Sequence, residues 1–347
     1  KAIYKVGIFS VDHCMEVFKA STVEASNKRG GYDVVFSNPP YQINDGGGTG
    51  TSAVPIYHEI VMHVIDKLNP HYLCMITPSR WMAGGKGLDD YRVRMLADKR
   101  IRSIVDFPGT QDVFNTVSIP GGVSYFLWDR DYSGLCDFNG SMRNLGEFDV
   151  VVRDNTSCQI LRKVLVKAKM FCNNIVLPRK PFGLCSNFDG WVSENTEGAV
   201  KCMSTGKILK SVSHTAYTDN NNIIHLWKVL ISRATIEGST FSGTVKQLLM
   251  GFMVLPPNQI CTETYLVAGT FNTKREAESY ASYMKTKFYR FMLSLRVITQ
   301  NISMDKFSWV PDFGDYSHAY TDKDLYQHFG LTKKEIEHIE KSIKAIK

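Results

Sequence analysis

Residues 33–42 read Asp-Val-Val-Phe-Ser-Asn-Pro-Pro-Tyr-Gln, an apolar run that stops at an amide, two prolines and an aromatic ring. Proline fixes φ and carries no N–H, so neither a helix nor a strand ladder continues through Pro39-Pro40. A buried strand at Val34–Phe36 must therefore end in a stiff loop that offers carbonyl acceptors and no amide donors. Open α/β sheets place their chemistry in loops at the carboxyl ends of strands. The bland alternative is a simple strand-ending turn, because Asn-Pro and Pro-Pro are ordinary turn dipeptides.

The segments that follow repeat a strand–loop–helix rhythm. Ser52 is a suitable N-cap and Pro55 suits a first helical turn, after which Val54, Tyr57, Val61, Val64 and Leu68 mark one helix face. Tyr72–Thr77 is a buried strand closed by Pro78-Ser79-Arg80-Trp81, and Gly84-Gly85-Lys86-Gly87 leads to a helix near Leu88–Ala97. Arg102–Phe107 is a further strand. Gly121–Trp128 is another, expected to form a hairpin with Leu135–Phe138 through Asp131–Gly134. This rhythm argues for a parallel, doubly wound sheet. Asp45–Ser52 is glycine-rich but lacks the G-K-[ST] ending of a phosphate-binding loop. It reads as a mobile loop beside the active site, or as a plain linker.

Beyond about residue 145 strands shorten and turn signals multiply. Thr218–Asn222 is polar, Trp227–Arg233 and Thr262–Ala268 read as strands, and Phe271–Leu295 reads as one amphipathic helix with a basic edge. A terminal helical pair spans Asp322–Phe329 and Thr332–Ile346. Of 41 Lys+Arg and 34 Asp+Glu in the chain, 15 of each fall in residues 1–144, so the net charge of +7 belongs to residues 145–347. A neutral first part and a basic second part suit an enzyme that grips a polyanion with its second domain.

An apolar content of 44% and a charged content of 22% are those of a water-soluble globular chain. No apolar run is long enough to span a bilayer, and the first residues carry no signal-peptide pattern. The eight cysteines form no C-x-x-C pair, which argues against a structural zinc site and for reduced thiols in a cytoplasmic setting.

Asn38-Pro39-Pro40-Tyr41 resembles the catalytic loop of the gamma-class adenine-N6 DNA methyltransferases of type II restriction–modification systems, the combined restriction/methylase type included. Tyr72–Trp81 and Gly121–Asp129 look like that family's later motifs in the right order. Lys285–Gln300 with Phe307–Pro311 resembles the end of its target-recognition domain. The resemblance implies an α/β fold, with part of a Rossmann-like methyltransferase sheet over residues 1–144. A mixed α+β target-recognition domain with C-terminal helices would occupy residues 145–347. It further implies S-adenosylmethionine as cofactor, double-stranded DNA as partner and a base flipped out of the duplex.

By the same resemblance the Asn38 side chain and the Pro39 carbonyl accept the two N–H bonds of the target amine, Pro40 stiffens the loop, and Tyr41 stacks on the base. Phe126 or Trp128 would stack on the base's opposite face, and core packing is as good an account of either. Asp12, after the short run Ile8–Val11, is the candidate for the cofactor's adenosine, with Asn38 beside the methyl donor. Arg80, Lys86, Lys228, Arg233, Lys285, Lys287 and Arg290 are the candidate DNA contacts. No metal is implied. The family's glycine-rich cofactor loop is not found among the 37 residues before Asn38. The chain therefore reads as the second half of a methyltransferase domain followed by its recognition domain. No nuclease core is recognisable, although an endonuclease domain or subunit of the same system is an expected partner. Two other readings stand beside this one: a catalytically incomplete DNA-binding fragment, and a protein-glutamine methyltransferase, whose substrate nitrogen is also a planar amide.

Overall fold

The strand anticipated ahead of the prolines is present as β1 (Val34–Ser37), and the chain leaves it at Asn38. The structure, a computed structural model, describes residues 32–43, 54–83, 85, 87–109, 113–114, 119, 121–233, 248–249, 251–297 and 302–346. It divides into two compact units, residues 1–151 and 152–347, each described by itself below.

In the first unit a two-residue ladder joins β2 (Gln42–Ile43) to β3 (Val54–Pro55). Pro55 therefore lies in a strand and not in a helical turn, a place proline tolerates because a short edge ladder needs no N–H from it. Helix α1 (Tyr57–His63) starts after Ile56 without a side-chain cap. The expected cap, Ser52, and the glycine-rich run 45–52 lie outside the described residues. A π turn over Val64–Leu68 ends the helix, closed by Asn69 N–H on the Val64 carbonyl at 2.9 Å.

β4 (Tyr72–Pro78) runs into a 3-10 turn at Ser79–Met82, and α2 (Asp89–Ala97) follows. Next come β5 (Ile101–Phe107), β6 (Val123–Asp129), β7 (Cys136–Phe138) and β8 (Ser141–Arg143). These strands form one six-stranded sheet in the order β1-β4-β6-β5-β7-β8. The pairs β1/β4 and β5/β7 are parallel, whereas β6 is antiparallel to both β4 and β5, and β8 to β7. The sheet is thus mixed, not parallel throughout as the strand–helix rhythm suggested. The expected hairpin of β6 with β7 is also replaced. Asp129 N–H bonds the Arg100 carbonyl and Gly134 N–H the Lys99 carbonyl, so the link 130–135 passes over the start of β5 and delivers β7 to its far side.

The sheet is apolar on both faces, and the two fare differently. One face carries Leu73, Met75, Ile101, Ile104, Phe126 and Trp128 against Ile60, Val61 and Val64 of the α1 segment and Tyr91 and Met95 of α2. The opposite face carries Phe36, 82% exposed, and Val34, 58% exposed, with Tyr72 and Tyr125 also exposed. The expectation that Val34–Phe36 is buried is corrected: among the described residues β1 is an edge strand, and these two side chains point away from α1 and α2.

In the second unit α3 (Asn155–Lys167) is capped by Asp154, whose carboxylate accepts the Ser157 N–H. β9 (Met170–Phe171) precedes a sheet of β10 (Trp191–Val192), β11 (Val200–Ser204), β12 (Ile208–Val212) and β15 (Gln259–Cys261). A second sheet joins β13 (Trp227–Ser232), β14 (Phe252–Leu255) and β16 (Tyr265–Phe271). Between them lies a core containing Phe182, Cys202, Val212, Leu230, Ile260 and Val267.

The long helix expected over Phe271–Leu295 is two helices. Phe271 ends β16, the Thr273/Glu276 capping box starts α4 (Lys274–Lys285), and Thr286 turns the chain into α5 (Lys287–Ser294). The Thr286 hydroxyl accepts the Tyr289 N–H as the new N-cap, which is the physical reason for the break. A short strand β17 (Pro311–Asp312) pairs with β9. The terminal pair α6 (Asp322–Phe329) and α7 (Lys333–Ser342) is closed at Gly330 in the left-handed conformation, with capping boxes at Thr321/Asp324 and Thr332/Glu335. Among the described residues no helix is long and apolar enough to cross a membrane.

Gly122 tests the packing of the sheet's carboxyl end. It has φ +77°, and a Cβ there would stand 2.1 Å from the Phe107 carbonyl oxygen, whereas one at Gly140 (φ +80°) would meet nothing within 4 Å. Gly140→Ala is expected to cost about 1 kcal/mol, the left-handed penalty alone. Gly122→Ala should cost clearly more, because backbone must move as well. Urea unfolding of both variants checks the order; equal losses would show that the contact at Gly122 relaxes freely.

Candidate active site

Asn38 sits exposed at the tip of β1, with Pro39 buried and Pro40 and Tyr41 half-buried behind it. Because β1 and β4 are parallel, in register from Val34/Tyr72 to Ser37/Met75, their carboxyl ends lie at one end of the sheet. The amino end of antiparallel β6 joins them through Val123, paired with Pro78 on one side and Phe107 on the other. The loop is held from behind. Ile56 N–H donates to the Tyr41 carbonyl at 3.2 Å, and the Tyr41 ring meets Tyr57 edge-to-face at 6.5 Å. Among the described residues neither the Asn38 amide nor the Pro39 carbonyl is taken up by a hydrogen bond, so both acceptors of the loop are free.

Tyr57 belongs to an aromatic chain. It packs edge-on against Tyr91 at 6.1 Å, and Tyr91 against Trp81 at 5.7 Å. Burial pushes the Tyr41 hydroxyl up to about 12, so it is a neutral phenol at any ordinary pH. Beneath the strand ends lies a fully made polar tie: Ser79 donates its hydroxyl to Asp106 at 2.7 Å and its N–H to the Gly122 carbonyl at 2.9 Å. The Asp106 N–H donates to the Asn139 amide oxygen at 2.8 Å.

Phe126 and Trp128 do share a face, as strand alternation implies, but that face is the core and both are fully buried. The Trp128 indole N–H donates to Asp98 at 3.0 Å and the Arg100 guanidinium lies 4.7 Å over its ring. Neither ring presents a face for a base to stack on, which corrects their assignment as the second stacking platform. Asp12 and Lys86 lie outside the described residues.

The candidate DNA cations separate by environment. Lys228 is fully buried and donates to the carbonyls of Ile223, Ile224 and Leu226 at 3.2, 3.0 and 2.6 Å. Burial holds its pKa down at about 8. Arg290 is buried too, its guanidinium spent on the Lys285, Thr286 and Lys344 carbonyls. These two hold turns together, and Lys228 has no donor left for phosphate, a correction to the sequence reading. Lys287 is paired with Glu340 at 2.6 Å. Arg233 donates to the Glu263 carbonyl and stands 4.0 Å from its carboxylate, which Arg179 also grips at 2.6 Å. Lys285 is exposed, with no partner for its ammonium among the described residues, and Arg80 is half-buried without a carboxylate partner.

In the sequence Tyr57 is one residue of an apolar helix face and Tyr91 carries no signal of its own; only the fold brings Tyr57 to Tyr41 and Tyr91 to Tyr57. Among the described residues no group of three His, Cys, Asp or Glu is placed to hold a metal ion.

Residues 4–114 match the family model described as Eco57I restriction-modification methylase. The chain is 35% identical over 144 residues to an uncharacterized adenine-specific methylase of Mycoplasma pneumoniae, covering 38% of this chain and 34% of that protein. It thus spans about a third of the length of this curated relative. Among solved structures it is similar to the type I restriction-modification methyltransferase subunit from Streptococcus thermophilus. That likeness has 15% identity, covers 31% of this chain and 27% of that one, and has a TM-score of 0.24. It is similar also to the type IIG restriction endonuclease BpuSI, with 10% identity, 97% and 48% coverage and a TM-score of 0.34. The segment 4–114, which contains Asn38–Tyr41, is thus similar in sequence to a restriction–modification methylase domain, and the chain is similar over 144 residues to an adenine-specific methylase.

The sorting of the basic residues has a direct test. Lys228→Met leaves three carbonyls without their donor and is expected to cost roughly 2 kcal/mol or more, with the salt dependence of DNA binding unchanged. Lys285→Ala should change stability by no more than about 0.5 kcal/mol and lower the slope of log K against log salt by about one. Urea unfolding and binding titrations at several salt concentrations separate the two. A Lys228 variant of ordinary stability and shallower slope would reverse the assignment.

Proposed function

We propose that this chain carries the catalytic loop and the recognition unit of an adenine-N6 DNA methyltransferase of a restriction–modification system. The observation that carries the reading is the pair of free acceptors on the Asn38-Pro39-Pro40-Tyr41 loop, held stiff from behind by Ile56 and Tyr57. It is supported by the match of residues 4–114 to a restriction–modification methylase.

The chemistry follows from the substrate. The exocyclic nitrogen of adenine has its lone pair delocalised into the ring and is a poor nucleophile. When the Asn38 side-chain oxygen and the Pro39 carbonyl accept its two N–H bonds, they draw the nitrogen toward a tetrahedral, nucleophilic state. Tyr41 supplies a rigid, neutral ring on which the flipped base stacks. S-adenosylmethionine fits as donor, because transfer from a sulfonium needs in-line placement more than an acid or base. Asn38, exposed at the strand tip, is the described residue that would stand beside it. The chain's own work is to orient the amine, exclude water behind it and receive the proton released from nitrogen at an acceptor of the loop. Double-stranded DNA is the substrate, with the exposed basic positions of the second unit, Lys285 first, meeting phosphates. An endonuclease of the same system is the expected functional partner.

Methyl transfer from labelled S-adenosylmethionine to unmethylated bacterial DNA tests the reading, run with the longest natural chain and its Asn38→Ala form. Label in N6-methyladenine is expected, falling at least a hundredfold with Asn38→Ala, because one acceptor of the amine is lost. Label in a protein glutamine would favour amide methylation. No label, with DNA binding intact, would leave a DNA-binding protein only.

A further inference from the structure

Five polar atoms behind the catalytic loop share an unusual condition. Among the described residues the hydroxyls of Tyr41 and Tyr91, the Trp81 indole N–H and the Arg80 Nε are buried without a hydrogen-bond partner, and the buried Tyr57 hydroxyl has no acceptor for its proton. The residues adjoin one another: Tyr41 meets Tyr57, Tyr57 meets Tyr91, and Tyr91 meets Trp81, the residue after Arg80. Tyr57, Tyr91 and Trp81 are more than nine-tenths buried. Two nearby buried donors of the same unit are satisfied, Ser79 by Asp106 and Trp128 by Asp98, whereas Thr77 Oγ1 and His58 Nδ1 find no partner among the described residues.

A buried donor without a partner costs about 1–3 kcal/mol, and a buried charge without a counter-charge costs more. Half-buried Arg80 carries the first cost at its Nε and only part of the second. Burial pushes its pKa down, and the Tyr57 hydroxyl offsets this electrostatically. Tyr57 is itself pushed up by burial and eased back by Arg80 and the Trp81 backbone. A phenol proton without an acceptor, within electrostatic reach of a guanidinium without a carboxylate, makes a receptor for an oxyanion, which Arg binds through planar, paired N–H bonds.

Resting on the adenine-methyltransferase reading, we propose that Arg80 and the Tyr57 hydroxyl form a subsite for the phosphate of the target nucleotide whose base Asn38 and Tyr41 hold. Tyr57 touches the ring that would carry the base, and Arg80 lies beyond it, so base platform and anion receptor are separated by one side chain. A nucleotide presents its base and phosphate one sugar apart. The subsite takes the phosphate of a flipped nucleotide and gives the enzyme a grip on it that is independent of base identity.

The test compares binding of 2′-deoxyadenosine 5′-monophosphate and 2′-deoxyadenosine to the full chain by ligand-observed NMR. The nucleotide should bind roughly tenfold more tightly, the worth of a charge-assisted contact. Arg80→Gln should erase that preference and leave deoxyadenosine binding unchanged. Tyr57→Phe, which keeps the ring and its packing, should reduce the preference in part, and guards against a folding defect in the arginine variant. A preference that survives Arg80→Gln overturns the subsite and leaves the base pocket standing. Loss confined to S-adenosylhomocysteine, compared with 5′-methylthioadenosine, overturns the phosphate assignment in favour of the cofactor's carboxylate. Failure of both nucleoside and nucleotide to bind, with Asn38→Ala making no difference, overturns the subsite and the base pocket together.

Discussion

Three strand ends in the first unit meet at Ser79. Its N–H bonds the Gly122 carbonyl ahead of β6, and its hydroxyl bonds Asp106 near the end of β5. Since Ser79 follows directly on β4, one buried residue joins the ends of three neighbouring strands. The join sets where the chain turns at Ser79–Met82, and so where Arg80 and Trp81 stand. Through the parallel register of β1 on β4 it also fixes the height of Asn38 above the sheet. A serine with both donors satisfied inside an apolar sheet end is a strong constraint, because each bond would be costly to leave unmade. Gly122 belongs to it: only a residue without Cβ can come so close to the Phe107 carbonyl.

The antiparallel insertion of β6 explains why the sequence was only partly legible here. Individual strands announce themselves by apolar runs, and Tyr72–Pro78, Ile101–Phe107 and Val123–Asp129 fall where the runs lie. Their order and direction do not, because a crossover leaves no local trace. The same limit governs Val34 and Phe36. An apolar run implies cover on both faces, and the run is there. The exposed ring of Phe36 and the open flank of β1 are what such a strand looks like when only one side is met by the described residues.

Short-range rules read well in the second unit. Thr321 and Thr332 with their carboxylates three residues on start α6 and α7 much where the terminal pair was expected. Long polar side chains read badly. Lys228 and Arg290 look like phosphate ligands in a basic stretch, yet each is buried on backbone carbonyls that only the fold brings within reach. Composition cannot tell a cation that holds a turn from one that meets DNA, because both are simply Lys or Arg. The surplus positive charge of residues 145–347 thus overstates what faces solvent, and exposed Lys285 is a better guide than the sum.

The same accounting gives the candidate site its meaning. Where this chain buries Lys228 and Arg290, it gives each of them backbone carbonyls at hydrogen-bond distance. Half-buried Arg80 has no such partner among the described residues, and its buried Nε lies within electrostatic reach of the Tyr57 hydroxyl. A fold that ties Ser79 and Trp128 to carboxylates and leaves Tyr57 and Arg80 open behind a proline-stiffened loop has separated two tasks there. Packing is completed by the chain itself; recognition is left for a ligand to complete. Free acceptors at Asn38 and Pro39 in front of Tyr41, and free donors from Tyr57 to Arg80 behind it, are complementary to the two ends of one nucleotide, an amine at the base and an oxyanion at the phosphate.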